Sequence, residues 1–269
     1  MKKFLLFLTA LFLTTTIGYA SGITYDFKDG IYHIIIPYGE RIEFVSTEKL
    51  TTNADVHKQT GAQLTVNAGF FDPKNQKTIS FVYNDGMLLE SPIENENMVF
   101  NEEIMDNWDK VGNRTEFRIT IQDGKVICDI VPHNEPHQGK LVASAQAGPM
   151  LLPDLRLEEE FFVVKNDEGR VIRESASVLH KTARTLIGLK GKDVHIFIVT
   201  NAHPMTIFEA RDLCQEHGLE KAMAFDGGSS TSVDFKDELH IVSIGSSTDD
   251  TGRKLKSFLI VRGKGVNKK

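Results

Sequence analysis

Asx–Gly steps punctuate this chain between short runs rich in β-branched and aromatic residues, and they constrain its fold more than any other feature. Asp29-Gly30 divides 24–27 from 32–36, Asp85-Gly86 divides 80–83 from 87–90, and Asp123-Gly124 divides 117–121 from 126–131. The stretch from Asn166 to Gly169 separates 161–164 from 171–174. Glycine supplies the positive φ that tight hairpin turns demand, and their twist matches that of the flanking strands. Each step predicts a β-hairpin, and together they imply much antiparallel sheet.

One segment has a different pattern. Residues 194–200 form a nearly continuous apolar run, as in a strand covered on both faces. Thr206 and Glu209 then fit a capping box, in which each side chain satisfies a free amide of the first helical turn. Ile207, Phe208, Ala210, Leu213, Cys214 and His217 follow at near-helical spacing, and Gly218 is a natural stop. Residues 222–225 read as another buried strand, ending at Asp226. Strand, helix and strand in that order predict a right-handed crossover between parallel strands. The expected class is α/β (α+β): a mixed, largely antiparallel twisted sheet with packed helices and at least one βαβ crossover. No long linker or internal repeat interrupts the chain, so residues 21–269 are expected to form one domain. A chain of this size can bury about 70–75% of its unfolded surface, enough for one large core.

Residues 1–20 are set apart from that domain. Lys2 and Lys3 precede an apolar run from Phe4 to Leu13, and Gly18-Tyr19-Ala20 provides small residues before a cut. This is the pattern of a signal peptide cleaved near Ala20, which predicts an extracytoplasmic protein, periplasmic or secreted. The run is short of the ~20 residues that span a bilayer, and no later segment is apolar enough, so no stable membrane insertion is expected. The formal net charge of -6 gives no general attraction to nucleic acid. Two cysteines exclude a disulfide scaffold and a four-cysteine zinc site. Cys128 and Cys214 could pair in an oxidising compartment, but two buried thiols are the favoured reading.

The stretch Asp226-Gly227-Gly228-Ser229-Ser230-Thr231-Ser232 follows a buried strand, where such folds place ligands. Its glycines let the backbone approach a ligand, and successive amides and hydroxyls can cradle an oxyanion. A capped, flexible Ser/Gly loop is the plainer alternative. In Asn67-Ala68-Gly69-Phe70-Phe71-Asp72, Asn67 is suited to a substrate hydroxyl and Phe70 or Phe71 to a sugar face. At least one of the two rings is expected in the core, and Asp72 is expected to form a turn. Arg184, opening an apolar strand with Thr185, is costly to bury unless paired, and its planar fork suits phosphate or carboxylate. A surface arginine ahead of an edge strand is the alternative. Weaker features are Gly148-Pro149-Met150-Leu151 and Gly252-Arg253. The phosphate loop, the zinc helix and the Gly-x-Ser-x-Gly elbow are all missing. His133 and His137 are flanked by prolines and read as a solvated loop.

Taken in order, these segments resemble the phosphodiester glycosidase family. The resemblance rests on Asn67 to Asp72, Gly148 to Leu151, Arg184-Thr185 with Gly188, Asp226 to Thr231, and Arg253 ahead of 257–261. It implies an α/β domain with a sugar-phosphate cleft and an exported protein linked to surface polysaccharide. The chain lacks the cysteine-rich and membrane segments of animal members, so the resemblance does not fix the substrate. By resemblance, Asp226 and Arg184 would be catalytic. Asn67, Gly69, Phe70, Gly148, Thr185, Gly227, Gly228, Ser229 and Arg253 would bind substrate.

The reaction so implied cleaves a sugar-1-phosphodiester in a surface glycan or glycoconjugate. Ordinary glycosidases use two carboxylates, one of which protonates the leaving alcohol. A phosphomonoester, with a second pKa of about 6, departs as an anion without that proton. One carboxylate, one or two arginines and a nest of amides suffice, with Asp226 as base or nucleophile. No cofactor is required, although oxygen ligands at Asp226 and Asp72 would suit calcium or magnesium. The alternatives are a non-catalytic binding module for anionic surface polysaccharide, and a hydrolase using a serine of 229–232 with His203 or His195.

Overall fold

The computed structural model describes residues 22–243 and 251–262. The expected leader, residues 1–20 with its cut near Ala20, lies outside them.

Each Asx–Gly step forms a hairpin. Asp29, Asp85 and Asp123 take φ of 50–51°, and the glycine after each has φ of 74–81°. Both turn residues are therefore left-handed, as a two-residue hairpin requires. The turns join β1 (Thr24–Lys28) to β2 (Ile31–Ile36), β5 (Val82–Asn84) to β6 (Met87–Glu90), and β7 (Thr115–Gln122) to β8 (Lys125–Pro132). β11 (Val163–Lys165) and β12 (Val171–Glu174) pair across Gly169.

Three larger sheets are built on these hairpins. The first has the order β1, β2, β14 (Asp193–Val199), β13 (Arg184–Lys190), β15 (Lys221–Ala224), β10 (Met150–Leu152). The second runs β17 (Leu239–Val242), β16 (Ser232–Phe235), β4 (Leu64–Asn67), β18 (Leu255–Arg262), β3 (Arg41–Thr51). The third runs β6, β5, β9 (Lys140–Gln146), β7, β8. The helices are few: α1 (Asn53–Thr60), the short α2 (Glu96–Val99), α3 (Glu102–Asp106) and α4 (Trp108–Val111), and α5 (Ile207–Glu216).

The expected crossover is present in a particular form. β14, α5 and β15 follow one another, and α5 carries the capping box of Thr206 and Glu209. β14 and β15 each pair antiparallel with β13, so they run parallel to one another with β13 between them. All ladders among the described residues are antiparallel.

One core draws on all three sheets. Ile34, Ile187, Ile196 and Ile198 from the first meet Phe44, Leu64, Val66 and Leu259 from the second and Val82, Phe117 and Ala145 from the third. The other face of the first sheet, including Phe197 and Val199, packs on Ala210 and Cys214 of α5. β14 is thus covered on both faces, which explains its unbroken apolar run. α1 covers the outer face of the second sheet through Val56, Phe258 and Ile260. Met98 and Val111, from α2 and α4, pack with Phe161 and shelter the region beside β11. Cys128 and Cys214 are free thiols, and burial pushes both up to about 12.

Candidate active site

The end of β4, the end of β15 and the starts of β13 and β10 converge on the chain around Asp226. Asp226 N–H donates to the Ala68 carbonyl at 2.9 Å, and Phe225 N–H to the Thr185 carbonyl at 2.8 Å. Asn67 completes the junction. Its Nδ2 donates to the Asp226 carbonyl at 2.6 Å, while its Oδ1 accepts from the Thr185 hydroxyl at 2.8 Å and the Ser232 N–H at 3.0 Å. Asn67 is 1% exposed and Thr185 is 0% exposed. Both were expected to meet substrate; instead they fasten the Asp226 loop to three strands, because their polar atoms are taken by the protein.

Gly69 and Gly148 receive a similar correction. A Cβ on Gly69 would lie 2.7 Å from Ser80 Cβ, and Gly69 N–H donates to Ser257 Oγ. Gly148, at φ +94°, leaves the space that the Glu160 carboxylate fills, and its N–H donates to the Ala224 carbonyl. These glycines permit close packing behind the site.

The Asp226 carboxyl is half-buried. Burial pushes it up to about 6, against the opposing pull of the Ser230 hydroxyl, the Arg253 charge and the Gly227 amide. Arg253 Nη1 donates to Ser229 Oγ at 3.1 Å and Ser230 Oγ at 3.0 Å, and its guanidinium lies 4.7 Å from the Phe71 ring centre. Ser230 therefore links the acid to a cation. Gly228, at φ +59°, donates its N–H to the Ala183 carbonyl at 2.8 Å, so it is not a free donor as expected. The donors facing the carboxylate are the Gly227 amide and Ser230 hydroxyl, with the Ser229 hydroxyl on Arg253 beside them.

Arg184 has other partners than the expected anion. Its Cδ passes near Gly227. Its Nε donates to the Met205 carbonyl, and its Nη2 to the carbonyls of Ser177, Val178 and His180, at 2.7–3.2 Å. At 4% exposure it ties the 177–182 loop to β13. One edge of its fork is filled by backbone oxygen, and the cation whose charge acts on Asp226 is Arg253.

Asp226 opens on a cavity of about 300 Å³. Phe70, Phe71 and Phe162 form aromatic walls, and Met98 and Ile104 close it from the short helices. Phe71 also belongs to the core, as expected for one of the two rings. Two further arginines, Arg114 and Arg173, line the cavity. Neither was anticipated, although Arg114-Thr115 opens β7 just as Arg184-Thr185 opens β13. Arg114 lies over the Phe162 ring at 4.2 Å, and burial pulls its guanidinium down to about 10.

Other candidates fall elsewhere. Asp72 accepts from Lys74 N–H at 2.7 Å and Asn97 Nδ2 at 2.8 Å, which makes it the turn-former expected. No cluster of three His, Cys, Asp or Glu with metal-binding spacing occurs among the described residues. His195 is hydrogen-bonded to His33, and His203 lines a different cavity from that of Asp226. His133 Nδ1 meets Glu116 at 2.6 Å.

A family profile described as phosphodiester glycosidase matches residues 60–262. No curated protein sequence matches significantly. Solved structures do. The catalytic domain of zebrafish N-acetylglucosamine-1-phosphodiester alpha-N-acetylglucosaminidase, auto-inhibited by its pro-peptide, is similar with a TM-score of 0.63 at 13% identity. The match covers 90% of this chain and 83% of that one. A Burkholderia pseudomallei protein matches with a TM-score of 0.65 at 10% identity, over 87% of this chain and 74% of that one. A hypothetical protein from Synechocystis matches at 0.57 and 13% identity, over 91% of this chain but only 62% of its own length. At such identities the structural likeness concerns the fold.

Proposed function

The chain belongs to the phosphodiester glycosidase family, and from that premise we propose that it is an exported hydrolase that cleaves the glycosidic bond of a sugar-1-phosphodiester in a surface glycan or glycoconjugate. The leader-like pattern of residues 1–20 supports export. The observation that carries the chemistry is Asp226 itself. A single carboxyl, raised to about 6, lines an aromatic cavity and is coupled through Ser230 to the Arg253 guanidinium.

The groups divide the work as follows. Arg253 and the Ser229 hydroxyl take the phosphate, and Phe70 takes the apolar face of the sugar. Water adds to the anomeric carbon as the bond from that carbon to the phosphate oxygen breaks. The bonding pair leaves with the phosphomonoester. Asp226 receives the proton of the attacking water, or bonds the anomeric carbon first and yields it to water in a second step. A carboxyl near 6 is ionised at neutral pH and still basic enough for general-base work. The leaving phosphate carries its own charge, so no second carboxyl is needed to protonate it. Losing one well-aimed donor in such a site costs about a hundred- to a thousandfold in rate.

The test is Asp226→Asn assayed on a panel of sugar-1-phosphodiesters. Wild-type protein is expected to release free sugar, with a rate that rises as pH passes through about 6. The folded variant should lose at least a thousandfold in kcat. Release of sugar phosphate instead of sugar would mean ordinary phosphodiesterase chemistry. Saturable glycan binding with no release would mean a binding module.

A further inference from the structure

The cavity beside Asp226 holds a second positive centre that bond cleavage does not use. Arg114 is 8% exposed, and its guanidinium makes one hydrogen bond among the described residues, from Nε to the Glu160 carbonyl at 3.0 Å. None of the ion pairs among those residues includes it. The acid whose charge acts on Arg114 is Glu160. That carboxylate is already occupied by Thr115 N–H at 3.1 Å, the Thr115 hydroxyl at 2.6 Å and Met150 N–H at 3.1 Å. Arg173 lines the same cavity, close enough for its charge to oppose that of Arg114. Arg173 is itself held by Glu103 at 3.1 Å and the Phe161 carbonyl at 2.8 Å. A buried guanidinium with a like charge nearby, whose nearest acid gives its oxygens to Thr115 and Met150 rather than to the guanidinium, is costly to keep unless a ligand supplies a directly bound anion.

This centre is distinct from the one at the reacting bond. The cation that acts on Asp226 is Arg253, whereas Arg114 lies over Phe162. Phe70 and Phe162, which line the cavity with Arg114, have ring centres 5.9 Å apart. The volume of about 300 Å³ is at the small end of the range for small-molecule sites, which suits one sugar ring rather than a chain.

We propose that Arg114, assisted by Arg173, reads an anionic substituent, a carboxylate or a phosphate, on the sugar whose anomeric carbon faces Asp226. The substrates are then phosphodiesters of acidic sugars. This specificity rests on the glycosidase reading of the same site. The phosphodiester group lies at Arg253, the ring lies against Phe70 and Phe162, and the substituent meets the two terminal nitrogens of Arg114, which match a carboxylate or phosphate in pairs.

Two measurements test it. The first compares kcat/KM for 1-phosphodiesters of a hexuronic acid, a hexose 6-phosphate and a neutral hexose, all with one aglycone. At least a tenfold preference for one acidic sugar over the neutral sugar is expected, and the preferred acid identifies the substituent. Arg114→Gln should lose at least tenfold in kcat/KM on the preferred acidic sugar and bring the ratio close to one, its loss on the neutral sugar being the smaller of the two. Arg173→Gln, at a partly exposed position, should lower the ratio partway and serves if Arg114→Gln does not fold. No preference in wild type, or an equal loss on both substrates in a folded variant, overturns the proposal. The second measurement is ligand-observed NMR with the free hexuronic acid, hexose 6-phosphate and hexose. It decides the question even if no phosphodiester is hydrolysed, an outcome that would defeat the glycosidase reading alone. Tighter binding of an acid, lost in Arg114→Gln or weakened in Arg173→Gln, supports the second centre; equal binding of acid and neutral sugar overturns it.

Discussion

An asparagine at a strand end offers the same atoms to a sugar or to a neighbouring loop, and burial decides which receives them. Asn67 is enclosed, and its amide joins the Asp226 carbonyl, the Thr185 hydroxyl and the Ser232 amide. Asn67→Ala should therefore lower the urea midpoint, since each buried group left unpaired costs about 1–3 kcal/mol. It should also lower kcat through a displaced Asp226, with KM nearly unchanged. A large rise in KM at constant stability would restore a direct sugar contact. The two Arg-Thr pairs teach the same lesson. Arg184 and Arg114 have similar sequence surroundings, yet backbone carbonyls bind the first through both Nε and Nη2 and the second through Nε alone. Residue type marked Asn67, Thr185 and Arg184 as unusual and passed over Arg114. It could not tell a fastener from a ligand-facing group, because that depends on which distant atoms fill the hydrogen-bonding sites.

Elements were legible wherever local chemistry is self-sufficient. Asp29, Asp85 and Asp123 adopt positive φ beside glycine, a conformation encoded within two residues. α5 begins at Thr206 because Thr206 Oγ1 accepts from Glu209 N–H at 3.2 Å and Glu209 Oε2 accepts from Thr206 N–H at 2.8 Å. Thr206→Ala should cost about 1 kcal/mol of stability in a denaturant melt, the ordinary value of a lost cap. Thr206→Asp should recover most of it, and equal stability in the alanine variant would show that packing under α5 outweighs the cap. Strand partners were less legible. The crossover was evident from strand, helix and strand, but the insertion of β13 between β14 and β15 was not. Pairing joins residues far apart in the chain, and an apolar run says only that both faces are covered.

Across the whole molecule, buried titratable groups set opposing responses to acid. His195 hydrogen-bonds His33 at 2.9 Å on the first sheet, with His217 against His33 and Phe197. Burial pulls His195 down to about 4 and His33 below its usual value of 6.5. The unfolded chain thus binds more protons there, and stability present above pH 6.5 is lost as pH falls toward 4. Asp226 acts in the opposite sense. Its folded value near 6 exceeds the ordinary 3.8, so its ionisation opposes folding and acidification from 6 toward 3.8 relieves that. Urea midpoints at pH 7.5 and 5.0 should fall on acidification in wild type, fall less in His195→Gln, and fall more in Asp226→Asn. Identical pH slopes in all three would show that these groups are not the ones that titrate. The amino-acid sequence alone determined the hairpin turns, the α5 cap, the doubly covered strand and the family, since each is written in neighbouring residues or in an ordered set of motifs. Only the tertiary structure decided that Arg253 rather than Arg184 accompanies Asp226, that Asn67 and Thr185 are fasteners, and that Arg114 faces the cavity. Those roles follow from which strand ends converge and how much water each polar group keeps, and neither quantity exists until the three sheets close on their shared core.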